Sequence, residues 1–150
     1  MTHTYSKTFF HLIWSTKNRK PLIDPTVKPL LYSYINGIIE KKKCKLHLIN
    51  GMPDHVHLLV SLPLTMTVPE LVQQTKVSST RWLRGQFNQT KEFSWQEGLG
   101  AFTVGYSNFN DVKKYIENQE HHHRTMTFEE EYLSFLNKLN IPYDKRFVLG

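Results

Sequence analysis

The segment from His55 to Leu62 limits the possible folds of this chain more than any other segment. In it, residues of mixed polarity alternate with apolar residues, as they do in a half-buried β-strand. Successive side chains of a strand point to opposite faces. One face would therefore be uniformly apolar, with the side chains of Val56, Leu58, Val60 and Leu62. Such a face requires helices packed against it, while His55 and His57 would project together from the other face.

The paired histidines allow two readings. Two neutral imidazoles a few ångströms apart can bind one divalent metal. The alternative is a pair of ordinary, partly buried histidines, since any His-x-His in a strand has this geometry. The motif alone does not decide between a metal site and a structural pair.

The rest of the chain divides into segments with strand or helix character. Aromatic and β-branched residues predict strands at 8–15, 46–50, 55–62 and 101–106. Apolar residues at helical spacing predict helices beginning at Asp24 or Thr26, at Thr67, at Phe109 and at Thr127. The helix from Phe109 is expected to run to about His121, and residues 88–98 are expected to form a loop.

The resulting order is β-α-β-β-α-β-α-α. Its first six elements predict an α+β fold, the ferredoxin-like or RRM-like split β-α-β sandwich, with a four-stranded antiparallel sheet. The first two helices would cover one sheet face and leave the other open for a site, beside an added C-terminal helix pair. No linker divides the chain, so residues 1–150 are expected to form a single domain.

Composition excludes several classes of protein. The 150 residues include one cysteine, which excludes a disulfide framework and a cysteine-rich zinc module. No apolar run approaches the ~20 residues of a membrane helix, so no membrane partner and a cytoplasmic location are expected. Residues 1–91 hold 13 Lys and Arg against 4 Asp and Glu. That excess favours a nucleic acid partner, although a solvated basic surface is the alternative.

A polar stripe follows the predicted third helix. Tyr115 and Gln119 lie one turn apart, and His122 lies about one turn further on. Tyr115 could be a tyrosine at the edge of the core with its hydroxyl in water, or a nucleophile beside a metal. Consecutive helical residues diverge by about 100°, so of the three histidines 121–123 only His122, or less readily His121, is expected to face Gln119.

Several segments together resemble one protein family. The run from Met52 to Val60 (MPDHVHLLV) is similar to the HUH motif, a His-hydrophobic-His sequence, of the single-tyrosine transposases of small bacterial insertion sequences. These are the TnpA-type, IS200-like enzymes. Residues 10–19 (FHLIWSTKNR) resemble the first strand of that family, and residues 76–83 (KVSSTRWL) resemble its second helix. Residues 115–119 (YIENQ) resemble the helix that bears its catalytic tyrosine and a metal ligand.

The resemblance implies a mechanism for this chain. Tyr115 would be the catalytic nucleophile and would form a 5′-phosphotyrosine link with single-stranded DNA. His55, His57 and Gln119 would hold one Mg²⁺ or Mn²⁺, with His122 and His121 as further metal or site-edge residues. The enzyme would be a homodimer that recognises hairpins near the element ends, and the tyrosine helix could complete the partner's site.

Basic and aromatic side chains are the expected DNA contacts. The predicted phosphate-binding residues are Lys17, Arg19, Lys20, Lys76, Arg81 and Arg84. Trp95 lies in a polar loop and is expected to stack on a base, whereas Trp14 and Trp82 are expected in the core. Asp54 is expected to be a turn residue that points away from His55, unless the strand begins only at His55.

Three other functions remain open from the sequence. The chain could be a related HUH protein that binds host repetitive palindromic hairpins without cutting, or one that cuts at such palindromes outside a mobile element. It could also be a metal-dependent hydrolase in which water replaces Tyr115 as the nucleophile. Intact His55, His57 and Tyr115 favour the cleaving and rejoining transposase.

Overall fold

A four-stranded antiparallel sheet organises the computed structural model, which describes residues 3–150. Its strands are β1 (Phe9–Ser15), β2 (Lys45–Met52), β3 (His55–Ser61) and β4 (Gly100–Val104). The helices are α1 (Lys28–Lys41), α2 (Val68–Gln86), α3 (Phe109–Glu117), α4 (Gln119–His122) and α5 (Phe128–Lys138). The strand order is β2-β3-β1-β4 with every neighbouring pair antiparallel, which confirms the predicted split β-α-β sandwich.

Helices α1 and α2 pack on the apolar face of the sheet. The predicted core positions Val56, Leu58 and Val60 of β3 are buried there, together with Leu12 and Trp14 of β1. The two helices supply apolar residues at helical spacing, namely Leu31, Ile35, Ile39, Leu71 and Leu83. Burial of this face accounts for the alternation from which the strand was predicted.

The opposite sheet face is covered rather than open, so the expectation of an open face is wrong. Helices α3 to α5 lie on it and bury Ile13 and Phe102 under Phe128, Tyr132 and Leu136. Leu59 and Val104 are buried with Ile116 of α3 in a second cluster. These strand residues share the face of His55 and His57, and their apolar side chains require a cover of their own.

Gly100 allows α5 to approach the sheet closely. It pairs with Ile13 at the start of β4. A Cβ atom at this position would lie 2.7 Å from the side chains of both Ile13 and Tyr132. The missing side chain therefore makes room for the Tyr132 ring and brings the first turns of α5 against β1 and β3.

The predicted third helix is interrupted. It ends at Glu117, and α4 begins at Gln119 after the non-helical residue Asn118. At the interruption, Asn50 Nδ2 of β2 donates hydrogen bonds to the carbonyl oxygens of Ile116 (2.9 Å) and Glu117 (3.3 Å). A sheet residue that is distant in sequence thus binds the carbonyl groups at the end of α3. Helical spacing within the segment does not reveal this interaction.

Two predicted helix starts are confirmed by their caps. The side chains of Thr67 and Thr127 accept hydrogen bonds from the backbone N–H groups of Glu70 and Glu130. Helix α1 begins later than predicted, at Lys28, because Asp24 Oδ1 accepts from the backbone of Thr26 and Val27 and forms a turn before it. Within residues 3–150, no helix is long and apolar enough to cross a membrane.

Candidate metal centre

His55 and His57 point from β3 into the layer between the sheet and α5. Both side chains are fully buried, with 0% relative exposure. Their Nε2 atoms approach the same atom, Oε1 of Glu131, at 3.4 Å from His55 and 2.8 Å from His57. The strand alternation thus brings the two imidazoles together as the sequence predicts, but at a buried position.

The other ring nitrogen of each histidine has its own partner. His55 Nδ1 lies 2.6 Å from Asp54 Oδ1, and His57 Nδ1 lies 2.7 Å from His11 Nε2. When a neutral imidazole donates its proton from Nδ1, its Nε2 is left with a free lone pair. Asp54 and His11 therefore fix both rings with Nε2 directed at the shared point.

Asp54 occupies the turn before β3, as expected, but its carboxylate does not point away from His55. The strand begins only at His55, so the alternation of faces does not extend back to Asp54. This was the condition under which the sequence left room for an Asp54 contact. The side chain acts on the site through the His55 ring.

Glu131 of α5 is the residue that sequence reasoning missed. Its side chain is 1% exposed, and Oε1 contacts the Nε2 atoms of His55, His57 and His123. In the sequence, the three glutamates at 129–131 are accounted for by the helix dipole, which favours negative charge in the first turn of a helix. Glu131 could have been distinguished by spacing, since it is three residues after Phe128 and four before Phe135, within the buried stripe of α5.

The structure brings His123 into the cluster instead of His122 or His121. His123 Nε2 lies 3.1 Å from Glu131 Oε1, and His123 Nδ1 lies 2.7 Å from the carbonyl oxygen of Met126. His122 stacks on Tyr115 with ring centroids 4.3 Å apart, and His121 is exposed. His122 therefore lies at the edge of the site, one of the two positions expected for it, whereas His123 takes the position beside the metal residues because it follows Gln119 by four residues, about one helical turn.

Gln119 and Tyr115 complete the cluster from α3 and α4. Gln119 is fully buried, with Oε1 3.1 Å from His55 Nε2 and Nε2 donating to Glu131 Oε2 at 3.2 Å. The Tyr115 hydroxyl donates to the same Glu131 Oε2. One carboxylate thus contacts the histidines through Oε1 and the tyrosine and glutamine through Oε2.

Charge and burial set the protonation of the cluster. Burial alone would raise the pKa of Glu131, but hydrogen bonds from His123, His55 and His57 hold that pKa far below its usual value. Burial opposes the charged form of His55, yet its contacts with Asp54 and Glu131 raise its pKa to about 9. Burial lowers the pKa of His57 to about 4, despite Glu131. Burial, Glu131 and its hydrogen bond raise the pKa of the Tyr115 hydroxyl above its ordinary value.

The donor atoms fit a divalent cation. The ligand atoms of His55, His57, His123 and Glu131 all lie within 4.8 Å of one another. Each imidazole has its Nδ1 engaged by another group, so a ring that gives up its Nε2 proton would present the Nε2 lone pair to the same point as the Glu131 oxygen. Donor atoms that converge in this way are typical of a metal site.

Two predicted DNA-binding residues also make contacts within the protein, which leave their positive charges in place. Lys76 Nζ donates to the carbonyl oxygens of Gln96 (2.9 Å) and Gly98 (2.7 Å). Arg84 Nε donates to the carbonyl oxygen of Phe93 at 2.8 Å. Both side chains hold the segment 93–98 against α2.

Trp95 lies in this segment, and the expectation that it stacks on a base is wrong for this conformation. Its indole is buried against Trp14 and Phe93, and Nε1 donates to Ser79 Oγ at 2.9 Å. Trp14 is also buried, as predicted, while Trp82 is partly buried and stacks on Tyr34.

The other predicted contacts remain at the surface. Lys17, Lys20 and Arg81 are exposed, and Arg19 is partly exposed. Arg19 also lines a groove of about 590 Å³, which reaches Asp54 and His123 at the edge of the cluster. Arg124 and Met126 lie along the same groove. This groove, which the acidic Asp54 and Glu130 also line, joins the surface at the two arginines to the edge of the buried centre.

Comparison with known proteins identifies a family for this chain. Residues 4–119 match the family model described as IS200-like transposase. The chain is 30% identical over 115 residues to the ISDra2 transposase TnpA of Deinococcus radiodurans, a match that covers 73% of this chain and 82% of that protein. It is 26% identical over 149 residues to the transposase for insertion sequence element IS200 of Salmonella typhimurium, covering 95% and 90%.

Two solved structures share the fold. One is a crystal structure of a protein assigned as a transposase from Deinococcus radiodurans R1, with a TM-score of 0.63 and 26% identity over 79% of this chain and 96% of the other. The second is a REP-associated tyrosine transposase bound to a REP hairpin, with a TM-score of 0.55 over 97% of this chain and 77% of the other. Identity to the second is 12%, so that likeness concerns the fold alone.

Proposed function

Because this chain belongs to the family of IS200-like transposases, we propose that it cleaves and rejoins single-stranded DNA at insertion-sequence ends. The reaction passes through a 5′-phosphotyrosine intermediate on Tyr115. The chain is thus a DNA-acting enzyme whose nucleophile is a side chain rather than water.

The observation that carries this proposal is the shared carboxylate of Glu131. It contacts the Tyr115 hydroxyl through Oε2 and three imidazoles through Oε1. A tyrosine at the edge of a core would not need a buried acid as its partner. The contact supports a role of Tyr115 in chemistry beside the metal-binding side chains.

The proposed step exchanges one phosphate ester for another. The Tyr115 oxygen bonds to the scissile phosphorus, the P–O3′ bond breaks, and the 3′-oxygen leaves as a hydroxyl after taking up a proton, which balances the proton that the phenol gives up. Glu131 Oε2 accepts the hydrogen bond of the Tyr115 hydroxyl, so it orients the phenol and can pass its proton on without keeping it. The reverse step joins the 5′-phosphate to another 3′-hydroxyl without ATP, because the ester bond is kept.

His55, His57 and Gln119 are the proposed holders of the divalent cation, Mg²⁺ or Mn²⁺. When bound, the cation polarises the phosphate and stabilises its added negative charge. Asp54 and His11 orient the two imidazoles through their Nδ1 atoms. Burial under α5 keeps water away from the tyrosine ester, which would otherwise be hydrolysed.

The DNA strand is proposed to reach the centre along the groove beside His123. Arg19 and Arg124 line it, and the exposed Lys17 and Lys20 lie on the same β1 exit as Arg19. Such side chains bind phosphates and contribute affinity rather than sequence selection. We further propose that hairpins near the element ends are bound, and that the enzyme acts as a homodimer.

The experiment is a search for a denaturation-resistant protein–DNA adduct. The protein is incubated with single-stranded DNA that carries the flanks of its own gene, with Mg²⁺ or Mn²⁺, and separated on a denaturing gel. Wild type should form the adduct and Tyr115→Phe should not. The matched control is Tyr106→Phe, at a tyrosine that is 74% exposed, and it should retain the adduct.

A further variant separates binding from cleavage. His57→Ala should lose the adduct but keep most of its DNA affinity, because the basic side chains supply the binding. Tight binding of hairpin DNA by wild type without any adduct would favour a non-cleaving, hairpin-binding relative. Cleavage without an adduct would favour water as the nucleophile, and either result would overturn the proposal.

A further inference from the structure

We propose that His123 and Glu131 are ligands of the cation together with His55 and His57, and that this set selects Mn²⁺ and later transition metals over Mg²⁺. The inference rests on the proposed function for the presence of a cation at this place. It adds two ligands that lie outside the strand motif, and it narrows the choice of metal ion.

His123 has the same arrangement of contacts as the two strand histidines. His55 Nδ1 contacts Asp54, His57 Nδ1 contacts His11, and His123 Nδ1 contacts the Met126 carbonyl oxygen. A ring that donates from Nδ1 presents a lone pair at Nε2, and outer partners of this kind are typical of metal-binding histidines. All three Nε2 atoms then approach Glu131 Oε1, at 3.4, 2.8 and 3.1 Å.

No permanently cationic side chain pairs with Glu131 in the part of the chain that the structure describes. Among the described residues, its ion pairs are with histidines alone and include no lysine or arginine. A buried carboxylate is costly unless a positive charge compensates it. A cation bound among the Nε2 atoms would supply that charge and leave the imidazoles neutral.

Gln119 keeps its place beside the cation in this set and also orients Glu131. Its Oε1 lies 3.1 Å from His55 Nε2, and its Nε2 donates to Glu131 Oε2, which leaves Glu131 Oε1 directed at the three histidines. The carboxylate is thereby oriented by Gln119 and Tyr115 on one side and open to the cation on the other. The residue that contacts the nucleophile is then also a metal ligand.

Three imidazole nitrogens and one carboxylate oxygen are a poor set for Mg²⁺. That ion prefers oxygen ligands in a nearly ideal octahedron and retains several waters. Imidazole suits the transition metals, whose affinity for such sites rises from Mn²⁺ through Co²⁺ towards Zn²⁺. We therefore expect tighter binding of Mn²⁺ than of Mg²⁺, and of Co²⁺ than of Mn²⁺.

The test measures metal binding without DNA, so it does not depend on cleavage. The metal-stripped full-length protein is titrated with Mn²⁺, Co²⁺ and Mg²⁺ by calorimetry. Wild type should bind Mn²⁺ at least about tenfold more tightly than Mg²⁺, and His123→Ala and Glu131→Gln should each weaken Mn²⁺ binding by at least about tenfold. The control is His121→Ala, at the exposed histidine of the same segment, and it should match wild type.

Equal affinity for Mg²⁺ and Mn²⁺, or unchanged Mn²⁺ affinity in both variants, would overturn the inference. Electron spin-echo spectra of wild type with Mn²⁺ provide a second measurement. It uses no variant, so a folding defect of a variant cannot affect it. The spectra should show coupling to three imidazole nitrogens, and coupling to two would exclude His123. An adduct at Tyr115 alongside a two-histidine spectrum would contradict this inference and leave the proposed function intact.

Discussion

His57 is held on both sides, by His11 at Nδ1 and by Glu131 at Nε2. His11 is buried in β1, and burial together with the charge of His57 lowers its pKa to about 3, although Glu131 opposes this. His11 is therefore neutral in the folded protein near pH 7. A neutral His11 can accept the Nδ1 proton of His57 and leave His57 Nε2 free for a metal.

Acid should therefore destabilise the metal-free protein through His11. Below about pH 6.5 the unfolded chain protonates this histidine, whereas the folded protein does not until about pH 3. The folded pKa is the lower one, so the contribution is fully present above pH 6.5 and is lost as the pH falls towards 3. In His11→Gln, the slope of the free energy of unfolding against pH should be smaller by about 1.4 kcal/mol per pH unit within that window.

Urea unfolding of the metal-free protein between pH 4 and pH 7 measures this slope. His121→Gln removes an exposed histidine and serves as the control, and its slope should follow that of wild type. A slope in His11→Gln equal to that of wild type would show that His11 is protonated in the folded protein.

The residues found from sequence were those that carry a local pattern. His55 and His57 follow from strand alternation, and Tyr115 and Gln119 from one turn of helix. His123 and Glu131 were missed because their roles depend on where α4 and α5 lie in space. In sequence they are one of three histidines and one of three glutamates, and only the burial of Glu131 between Phe128 and Phe135 distinguishes it.

At the scale of the elements, α5 carries Glu131 in its first turn, and Thr127 caps that turn. The Thr127 side chain accepts from the backbone N–H of Glu130 at 3.2 Å. Thr127→Ala should lower the free energy of unfolding by about 1 kcal/mol. It should also weaken Mn²⁺ binding, because the turn that holds the carboxylate becomes less ordered.

Thr67 provides a matched control for this prediction. It is likewise an exposed threonine that caps a helix, α2, and it accepts from the backbone N–H of Glu70 at 3.3 Å. Thr67→Ala should cost a similar free energy of unfolding and leave Mn²⁺ affinity unchanged. Denaturation of both variants measures the free energy of unfolding, and calorimetry measures their Mn²⁺ affinity. Equal losses of Mn²⁺ affinity in the two variants would contradict a specific role of α5.

The helix starts were predictable and one helix end was not. Thr67 and Thr127 cap the starts of their helices through local hydrogen bonds with the backbone. The interruption at Asn118 accompanies hydrogen bonds from Asn50, which is distant in sequence and meets α3 only after the sheet has formed.

At the scale of the whole molecule, every residue of the cluster belongs to one chain. Tyr115 contacts Glu131 of the same chain, and the three histidines surround that carboxylate. The four-stranded antiparallel sheet and the helices on its first face were predicted correctly, but the cover over the second face was not. That face carries the polar histidines, but it also carries Ile13, Leu59 and Phe102, which form two further buried clusters under α3 to α5.

A mixture of two inactive variants tests whether one chain alone is sufficient to form an active site. Tyr115→Phe retains the histidines, and His57→Ala retains the tyrosine. If each site is built within one chain, a mixture of the two should form no more adduct than either variant alone. Recovery of adduct in the mixture would mean that Tyr115 of one subunit serves the metal centre of its partner.

The most direct test of the central claim is to locate the bond between protein and DNA. After reaction of wild type with Mn²⁺ and single-stranded DNA from the flanks of its gene, the adduct is digested with nuclease and protease and its peptides are identified by mass spectrometry. We predict a nucleotide phosphate attached to the peptide that contains Tyr115, and to no other peptide. Attachment at another residue, or cleaved DNA that ends in a free 5′-phosphate with no modified peptide, would contradict the account.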